Sequence, residues 1–140
     1  MTHFDPEKFM IDTASEDLKP FIGRAQLSTM RQCAKGEEKV FFISRMVELA
    51  ALIHSMPKTY EQDGKGQQAV AYLHYFTPSA DWYITEKDSE SDGQHQAFGL
   101  ADLGMGAELG YISIVELLEN GAELDLHFVP RTLEQVKKAA

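Results

Sequence analysis

Hydrophobic residues recur at helical spacing in the segment from Glu37 to Ser55. They fall at steps of three and four and therefore share one face of an amphipathic helix: Val40, Ile43, Met46, Val47, Ala50 and Ile53. Glu37 and Glu38 favour the N-terminus of this helix, and Pro57 lies just beyond its end. Four more apolar residues widen the stripe beyond one face: Phe41, Phe42, Leu49 and Leu52. We therefore expect a helix that is buried on two sides, or one whose second face binds a partner.

The pattern changes to strand-like alternation after this helix. Apolar or alternating runs bounded by turn residues predict strands at 69–76, 82–85, 95–101, 108–112 and 124–128. Ser113 with Glu116 forms a capping box for a short helix that Gly121 closes, and Thr132 with Gln135 opens a C-terminal helix. This order predicts an α+β fold, in which one long N-terminal helix and short C-terminal helices pack on an antiparallel sheet of four to five strands.

The first 35 residues have weaker periodicity. Asp5, Pro6 and Glu7 form a helix-start signal, and the helix that they open ends near Pro20. We predict that residues 1–35 form an N-terminal arm that packs on the rest of the chain or on a partner. The 140 residues fit one domain, made of this arm, an amphipathic helix at 36–55 and a core at 56–136.

Charge is distributed unevenly along the chain. The formal net charge is −9, and the segment from Asp81 to Val129 has eleven acidic residues and one basic residue, Lys87. Such a field repels nucleic-acid phosphates and attracts basic protein surfaces, so we expect no direct nucleic-acid binding by this half. We predict an acidic face formed by Asp81, Glu86, Asp88, Glu90, Asp92, Asp102 and Glu108. The alternative role of these acids is solubility alone.

Aromatic residues in the same segment are candidate anchors of an interface. Trp82, Tyr83 and Tyr111 have the size and the polar tip that interface hot spots favour. Their alternative role is packing in the core and across strands.

Composition narrows the class of protein. Cys33 is the single cysteine, which excludes a disulfide framework and a cysteine zinc site. No apolar run approaches the roughly 20 residues that span a bilayer, and the N-terminus lacks the basic and apolar regions of a signal peptide. We therefore expect a cytoplasmic protein that does not bind membranes.

Polar residues after the Trp82 strand allow an alternative interpretation, in which they form a catalytic or ligand-binding site. Glu86 and Asp88 lie two positions apart, so they can share one face of a strand. The alternative interpretation is a small enzyme, or a metal or small-molecule binder, that uses Glu86, Asp88 and His95. The histidines of the predicted strands lack ligand-type spacing, so we expect no metal from them: His74, His95 and His127. No catalytic set or cofactor motif is complete, and a non-enzymatic protein is the leading interpretation.

Several blocks of residues in the second half of the chain stand out together. They are Met56-Pro57-Lys58, Phe76-Thr77-Pro78, Trp82-Tyr83-Ile84-Thr85-Glu86-x-Asp88, Phe98-Gly99, Glu108-Leu109-Gly110-Tyr111-Ile112-Ser113, and Leu124-Asp125-Leu126-x-Phe128 before Pro130. In this order they resemble the DUF2958 family of bacterial proteins over about residues 56–136. The resemblance implies no established activity. It implies a setting, because family members look like cargo of plasmids and other mobile elements near anti-restriction genes.

Charge and resemblance together predict an acidic binding protein of a mobile element. We expect it to act against host defence, as an anti-CRISPR or anti-restriction inhibitor that docks on the basic nucleic-acid-binding surface of a defence nuclease complex. A homodimer through residues 37–55 is a separate expectation, because the apolar stripe there is wider than one face requires.

Overall fold

A computed structural model describes residues 3–90 and 94–139. These residues form helices and antiparallel strands. The helices are α1 (Pro6–Leu18), α2 (Arg24–Cys33), α3 (Lys39–Ser55), α4 (Ile114–Glu119) and α5 (Leu133–Ala139). The strands are β1 (Val70–Ala71), β2 (Leu73–Thr77), β3 (Ala80–Glu86), β4 (Ala97–Asp102), β5 (Ala107–Ile112), β6 (Glu123–Leu124) and β7 (Arg131–Thr132). The predicted α+β class is confirmed.

The largest sheet has five antiparallel strands in the order β5-β4-β3-β2-β6, and β1 pairs with β7 in a separate ribbon. Thr77 pairs with Ala80, so the β2–β3 hairpin closes through a tight turn at Pro78 and Ser79. Short connections of this kind force neighbouring strands to run antiparallel. The predicted sheet of four to five strands is confirmed.

The N-terminal helices pack on one face of this sheet, called here the helix face. Leu18 of α1, Met30 of α2 and Met46 of α3 are at most 1% exposed and join one apolar cluster with Leu73 and Tyr75 of β2. The Tyr75 hydroxyl donates a 2.6 Å hydrogen bond to a backbone carbonyl of the α1–α2 connection. The buried ring therefore has a partner for its one polar atom.

The helix predicted to open at Asp5 and to end near Pro20 is present as α1, but the second helix of the N-terminal region, α2, was not predicted. Residues 6–33 form two helices on either side of Gly23, and α1 lies along α3. The buried residues of α1 recur at helical spacing: Ile11, Ala14 and Leu18. This contact lies on the side of α3 that carries Val47 and Ala50, which line a groove beside α1. Three apolar residues of α3 stay exposed: Val40 and Val47 from the predicted stripe, and Phe41 from the wider set.

Two glutamine side chains act as short strand partners. The Gln26 amide of α2 donates to the Leu124 carbonyl (2.8 Å) and accepts from the Leu124 N–H (3.0 Å), at the sheet edge formed by β6. The buried Gln62 amide makes the same pair of bonds with Val70 of β1, at 2.9 and 2.8 Å. Each amide satisfies backbone groups that a strand edge leaves unpaired.

Two predicted strands are shorter than expected. The strand at 69–76 is interrupted at Tyr72, and its two parts, β1 and β2, pair with different strands. The strand predicted at 124–128 ends at Leu124. The chain turns there because the Asp125 carboxylate accepts from the His127 N–H (2.9 Å), and the Phe128 N–H donates to the Asp125 carbonyl. Alternating polarity alone does not reveal such a side-chain turn.

The opposite face of the sheet, called here the outer face, carries a smaller core. It is built from residues of β1, β4 and α5 and from the loop after β6: Ala69, Ala71, Leu100, Phe128, Leu133 and Val136. The capping box at the start of α5 is present, since Thr132 and Gln135 exchange hydrogen bonds. Within residues 3–90 and 94–139, none of the helices combines the length and the apolar content that crossing a membrane requires.

Candidate functional site

Carboxylates gather where the β2–β3 and β4–β5 turns lie side by side. Both turns occupy one end of the sheet because the strands are antiparallel, and β6 begins opposite Phe76 near the same end. Asp81 and Asp102 face each other directly across β3 and β4. We call this region the acidic end and define it by five residues: Asp81, Asp102, Glu108, Glu123 and Asp125.

The imidazole of His74 lies between two of these carboxylates. Its Nε2 is 2.7 Å from Asp81 Oδ1 and its Nδ1 is 2.9 Å from Asp125 Oδ2, and its side chain is 14% exposed. Ionised carboxylates only accept hydrogen bonds, so the ring makes both bonds at once when both nitrogens carry a proton. The Tyr83 ring stacks on this imidazole, with centroids 4.6 Å apart and planes 7° apart. The nitrogens of His74 therefore bind two carboxylates, while the face of its ring stacks on Tyr83.

Sequence reasoning treated His74 as one of three unrelated histidines and missed this cluster. A usable signal was present in the hairpin, because the pairing of Thr77 with Ala80 brings the outer-face residues His74, Asp81 and Tyr83 together. Asp125 carried no such signal, since it reaches the cluster through the turn after β6.

The same carboxylates act electrostatically on Tyr83. Partial burial raises the pKa of the Tyr83 hydroxyl, the charges of Asp81, Asp102 and Asp125 raise it further, and Arg131 opposes them. The three acids share a side of the sheet, because Asp81 pairs with Asp102 and His74 bonds both Asp81 and Asp125. Burial also raises the pKa of Asp125, but the hydrogen bonds from His74 and from the His127 N–H outweigh it, so this pKa is lower than usual.

Apolar side chains project beside these acids. Leu103 is 56% exposed and Met105 is 91% exposed in the turn between β4 and β5. Gly104 and Gly106 have φ of 90° and 105°, and Asp102 Oδ1 accepts from the Gly104 N–H at 3.0 Å. The turn therefore has a defined shape and presents apolar groups next to carboxylates, a combination that suits protein contacts.

The acidic face expected from the sequence is divided in the structure. Asp81, Asp102 and Glu108 lie at the acidic end, whereas Asp88 and Glu90 follow β3 at the opposite end of the sheet. Asp92 falls outside the described residues. The prediction that Glu86 belongs to this acidic face is wrong. The residue is 4% exposed and contributes no surface charge, because β3 turns its side chain inward beside a bulge.

The three candidate anchors occupy different surroundings. Trp82 packs against the helix-face core, and Tyr83 points to the outer face, as alternation along β3 requires. Tyr111 on β5 is 56% exposed, and its hydroxyl bonds that of Tyr60. A cleft of about 350 Å³ has both Trp82 and Tyr111 among its lining residues.

Glu86 lies beside a second cavity of about 350 Å³, on the outer face. Its carboxylate accepts hydrogen bonds from the Tyr60 N–H (2.6 Å) and the Thr85 hydroxyl (3.0 Å). Asp88 instead accepts from the backbone N–H groups of Glu90 and Gln96, each at 3.0 Å.

His95 is exposed in the segment before β4. The three residues of the predicted alternative site, Glu86, Asp88 and His95, therefore do not come together. Backbone hydrogen bonds hold Asp88 away from the cavity that contains Glu86.

Three of the six sequence blocks that carry the family resemblance lie on adjacent strands. The Trp82–Asp88 block forms β3, Phe98-Gly99 pairs with it from β4, and the Glu108–Ser113 block forms β5 beside β4. A family model described as a protein of unknown function (DUF2958) matches residues 45–134. Searches of curated proteins and of solved structures gave no match. Since the family model covers more than half of the chain, the chain belongs to the DUF2958 family.

Proposed function

We propose that this chain is a non-enzymatic binding protein whose acidic end docks on a basic protein surface. The observation that carries the proposal is the convergence of three carboxylates beside the exposed Leu103 and Met105: Asp81 pairs with Asp102 across β3 and β4, and His74 bonds both Asp81 and Asp125. Carboxylates that lie together attract a basic surface over a longer range than scattered ones do. The apolar turn supplies contact area once the partner has arrived.

Like charges that face each other across strands destabilise a sheet. Asp81 and Asp102 are paired in this way, and the imidazole of His74 offsets part of the repulsion by bonding Asp81. A basic partner would offset the remaining repulsion between Asp81 and Asp102, so relief of this repulsion would favour docking. This linkage favours a cationic partner over a neutral one.

The partner class that we propose is a nucleic-acid-binding protein of host defence, which would give the chain an anti-CRISPR or anti-restriction role on a mobile element. Such proteins carry basic channels shaped for phosphates, and an acidic surface competes for the same site. The resemblance to mobile-element cargo motivates this choice. The acidic end itself motivates only the basic surface.

The test compares two triple variants in pull-downs from a host with restriction and CRISPR systems. The first variant is D102N/E108Q/E123Q, which removes three charges from the acidic end without touching the His74 bonds. The matched control is D17N/E37Q/E119Q, which removes three exposed acids elsewhere. We expect a partner that wild type and control retain and that the first variant loses.

Binding of the purified partner then decides the mechanism. We expect affinity to fall about tenfold in the first triple variant at low salt, since exposed charge pairs contribute about 0.2–1 kcal/mol each. We also expect affinity to fall with rising salt and with added competing nucleic acid. Salt-independent binding, or equal losses in both triple variants, would contradict docking through the acidic end.

Self-association through residues 37–55 is a second, separate proposal. It rests on the exposure of Val40, Phe41 and Val47, which are 74%, 41% and 40% exposed on α3. Light scattering of the purified chain tests it. We expect a dimer mass that V47D reduces to that of a monomer, and a monomeric wild-type chain would reject the proposal.

A further inference from the structure

The outer-face cavity beside Glu86 is lined by a loop and three strands. Its volume is about 350 Å³, near the lower limit for small-molecule sites. Residues from the loop after α3 form one side, and β3, β4 and β5 form the other; those that matter here are Tyr60, Asp63, Thr85, Glu86, Phe98 and Leu109. Thr59 ties the loop to the sheet through bonds to the carbonyls of Lys87 and Gln96. The end of the loop at Thr59 is therefore fixed against the sheet.

Charge in this cavity has one sign. Two of its lining residues, Asp63 and Glu86, are acidic, and none is basic. Glu86 is 4% exposed, and within residues 3–90 and 94–139 it has no ion-pair partner inside 4.0 Å. A buried carboxylate without a cation is unfavourable even when hydrogen bonds satisfy its oxygens. A cationic ligand would supply the missing countercharge.

Two aromatic residues, Tyr60 and Phe98, line the cavity, and Tyr111, which does not line it, packs against both. Tyr111 packs edge-on against both Tyr60 and Phe98, with centroid separations of 6.4 and 5.7 Å and interplanar angles of 82° and 87°. The Tyr60 and Tyr111 hydroxyls are also hydrogen-bonded to each other. Aromatic faces attract cations, and walls of this kind recur in sites for ammonium groups.

From these features we propose that the cavity binds a small organic cation with an ammonium or guanidinium group. The charged group pairs with Glu86, and the hydrocarbon part contacts Phe98 and Leu109. The volume admits a molecule about the size of a short diamine and excludes large cofactors. This proposal is independent of docking through the acidic end, which lies at the other end of β3.

The test is calorimetric titration of the full chain with four probes of similar length. Cadaverine and agmatine carry ammonium and guanidinium groups, whereas 1-pentanol is neutral and valerate is anionic. We expect both cations to bind with dissociation constants below about 1 mM, and the other two probes to bind at least about tenfold more weakly. Because agmatine carries an ammonium group beside its guanidinium, tighter binding of agmatine than of cadaverine would show that the site prefers guanidinium.

Two variants locate the site. E86Q keeps the shape of the side chain and should weaken cadaverine binding at least tenfold, while E90Q, an exposed acid outside the cavity, should leave it unchanged. If E86Q does not fold, D63N at the exposed rim should weaken binding about threefold by removing the second charge. Equal binding of 1-pentanol and cadaverine, or no binding of either cation, would overturn the proposal.

Discussion

The backbone N–H of Tyr60 donates a 2.6 Å hydrogen bond to the buried carboxylate of Glu86. Tyr60 has φ of 80°, and no other non-glycine residue in the described part of the chain has positive φ. This backbone region is unfavourable for a bulky side chain and persists when surrounding contacts enforce it. Glu86 is one of those contacts, so the cavity wall and the buried charge depend on each other.

Replacing Glu86 therefore separates its hydrogen bonding from its charge. We expect E86A to lower the free energy of unfolding by about 2–4 kcal/mol, because the Tyr60 N–H loses its acceptor and a void remains, whereas the Thr85 hydroxyl still bonds the Phe98 carbonyl. We expect E86Q to lower it by about 2 kcal/mol less, because the amide oxygen still accepts from the Tyr60 N–H. Urea unfolding of the three proteins measures both values. Equal losses in the two variants would show that the acceptor at this position is unimportant.

Gly99 on β4 has no room for a side chain. A Cβ there would lie 2.0 Å from the Tyr83 carbonyl oxygen and 3.0 Å from the Ile84 Cα, both backbone atoms of β3. We expect G99A to lower the free energy of unfolding by about 3 kcal/mol or more, because the two strands must move apart.

Gly110, its partner on β5, is the matched control, since a Cβ there meets nothing within 4 Å. G110A should change the free energy of unfolding by no more than about 1 kcal/mol. Urea unfolding midpoints measure the stability of both variants. Similar midpoints would contradict the view that the close approach of β3 to Gly99 excludes a side chain there.

Asp125 makes stability depend on pH. Hydrogen bonds from His74 and from the His127 N–H outweigh burial and lower its pKa in the folded state. A lowered folded pKa contributes stability above the unfolded value of about 3.9, and this contribution is lost as pH falls through the folded pKa. We expect D125N to be less stable than wild type at pH 6 and the difference to shrink below about pH 4. Thermal unfolding from pH 6 down to about pH 2 measures the difference, and a difference that stayed constant over this range would contradict the linkage.

Arg45 joins α3 to the segment after β6. Its Nε donates to the Leu126 carbonyl and its Nη2 to the Phe128 carbonyl at 3.2 Å, while its side chain is 19% exposed. One ammonium group cannot reach both carbonyls, so we expect R45K to lower the free energy of unfolding by about 1–2 kcal/mol. R24K, at an exposed position of α2, should have no measurable effect. Chemical denaturation compares the two, and the same stability for both variants would remove the proposed role of Arg45.

Local patterns predicted the elements whose contacts are local. The α3 helix was predicted at 37–55 and occurs at Lys39–Ser55, and the Ser113 hydroxyl accepts from the Glu116 N–H as its capping box requires. Helical spacing, caps and turn residues act within a few positions of the chain, so they are visible in the sequence. The strand expected at 124–128 ended at Leu124 because the Asp125 side chain turns the chain, and Arg45 of α3 bonds the carbonyls of Leu126 and Phe128 that follow.

The sequence by itself determined the α+β class, the family, the α3 helix and the excess of acids after residue 80. Only the tertiary structure decided where those acids lie. Strand pairing placed Asp81 beside Asp102, and the turn after β6 brought Asp125 to His74. The register shift between Ile84 and Glu86 pairs Glu86 with Phe98 and puts its side chain beside the outer-face cavity, where it is buried. The physical reason is that register, bulges and long-range hydrogen bonds depend on strands far apart in the chain, whereas net charge and periodicity do not.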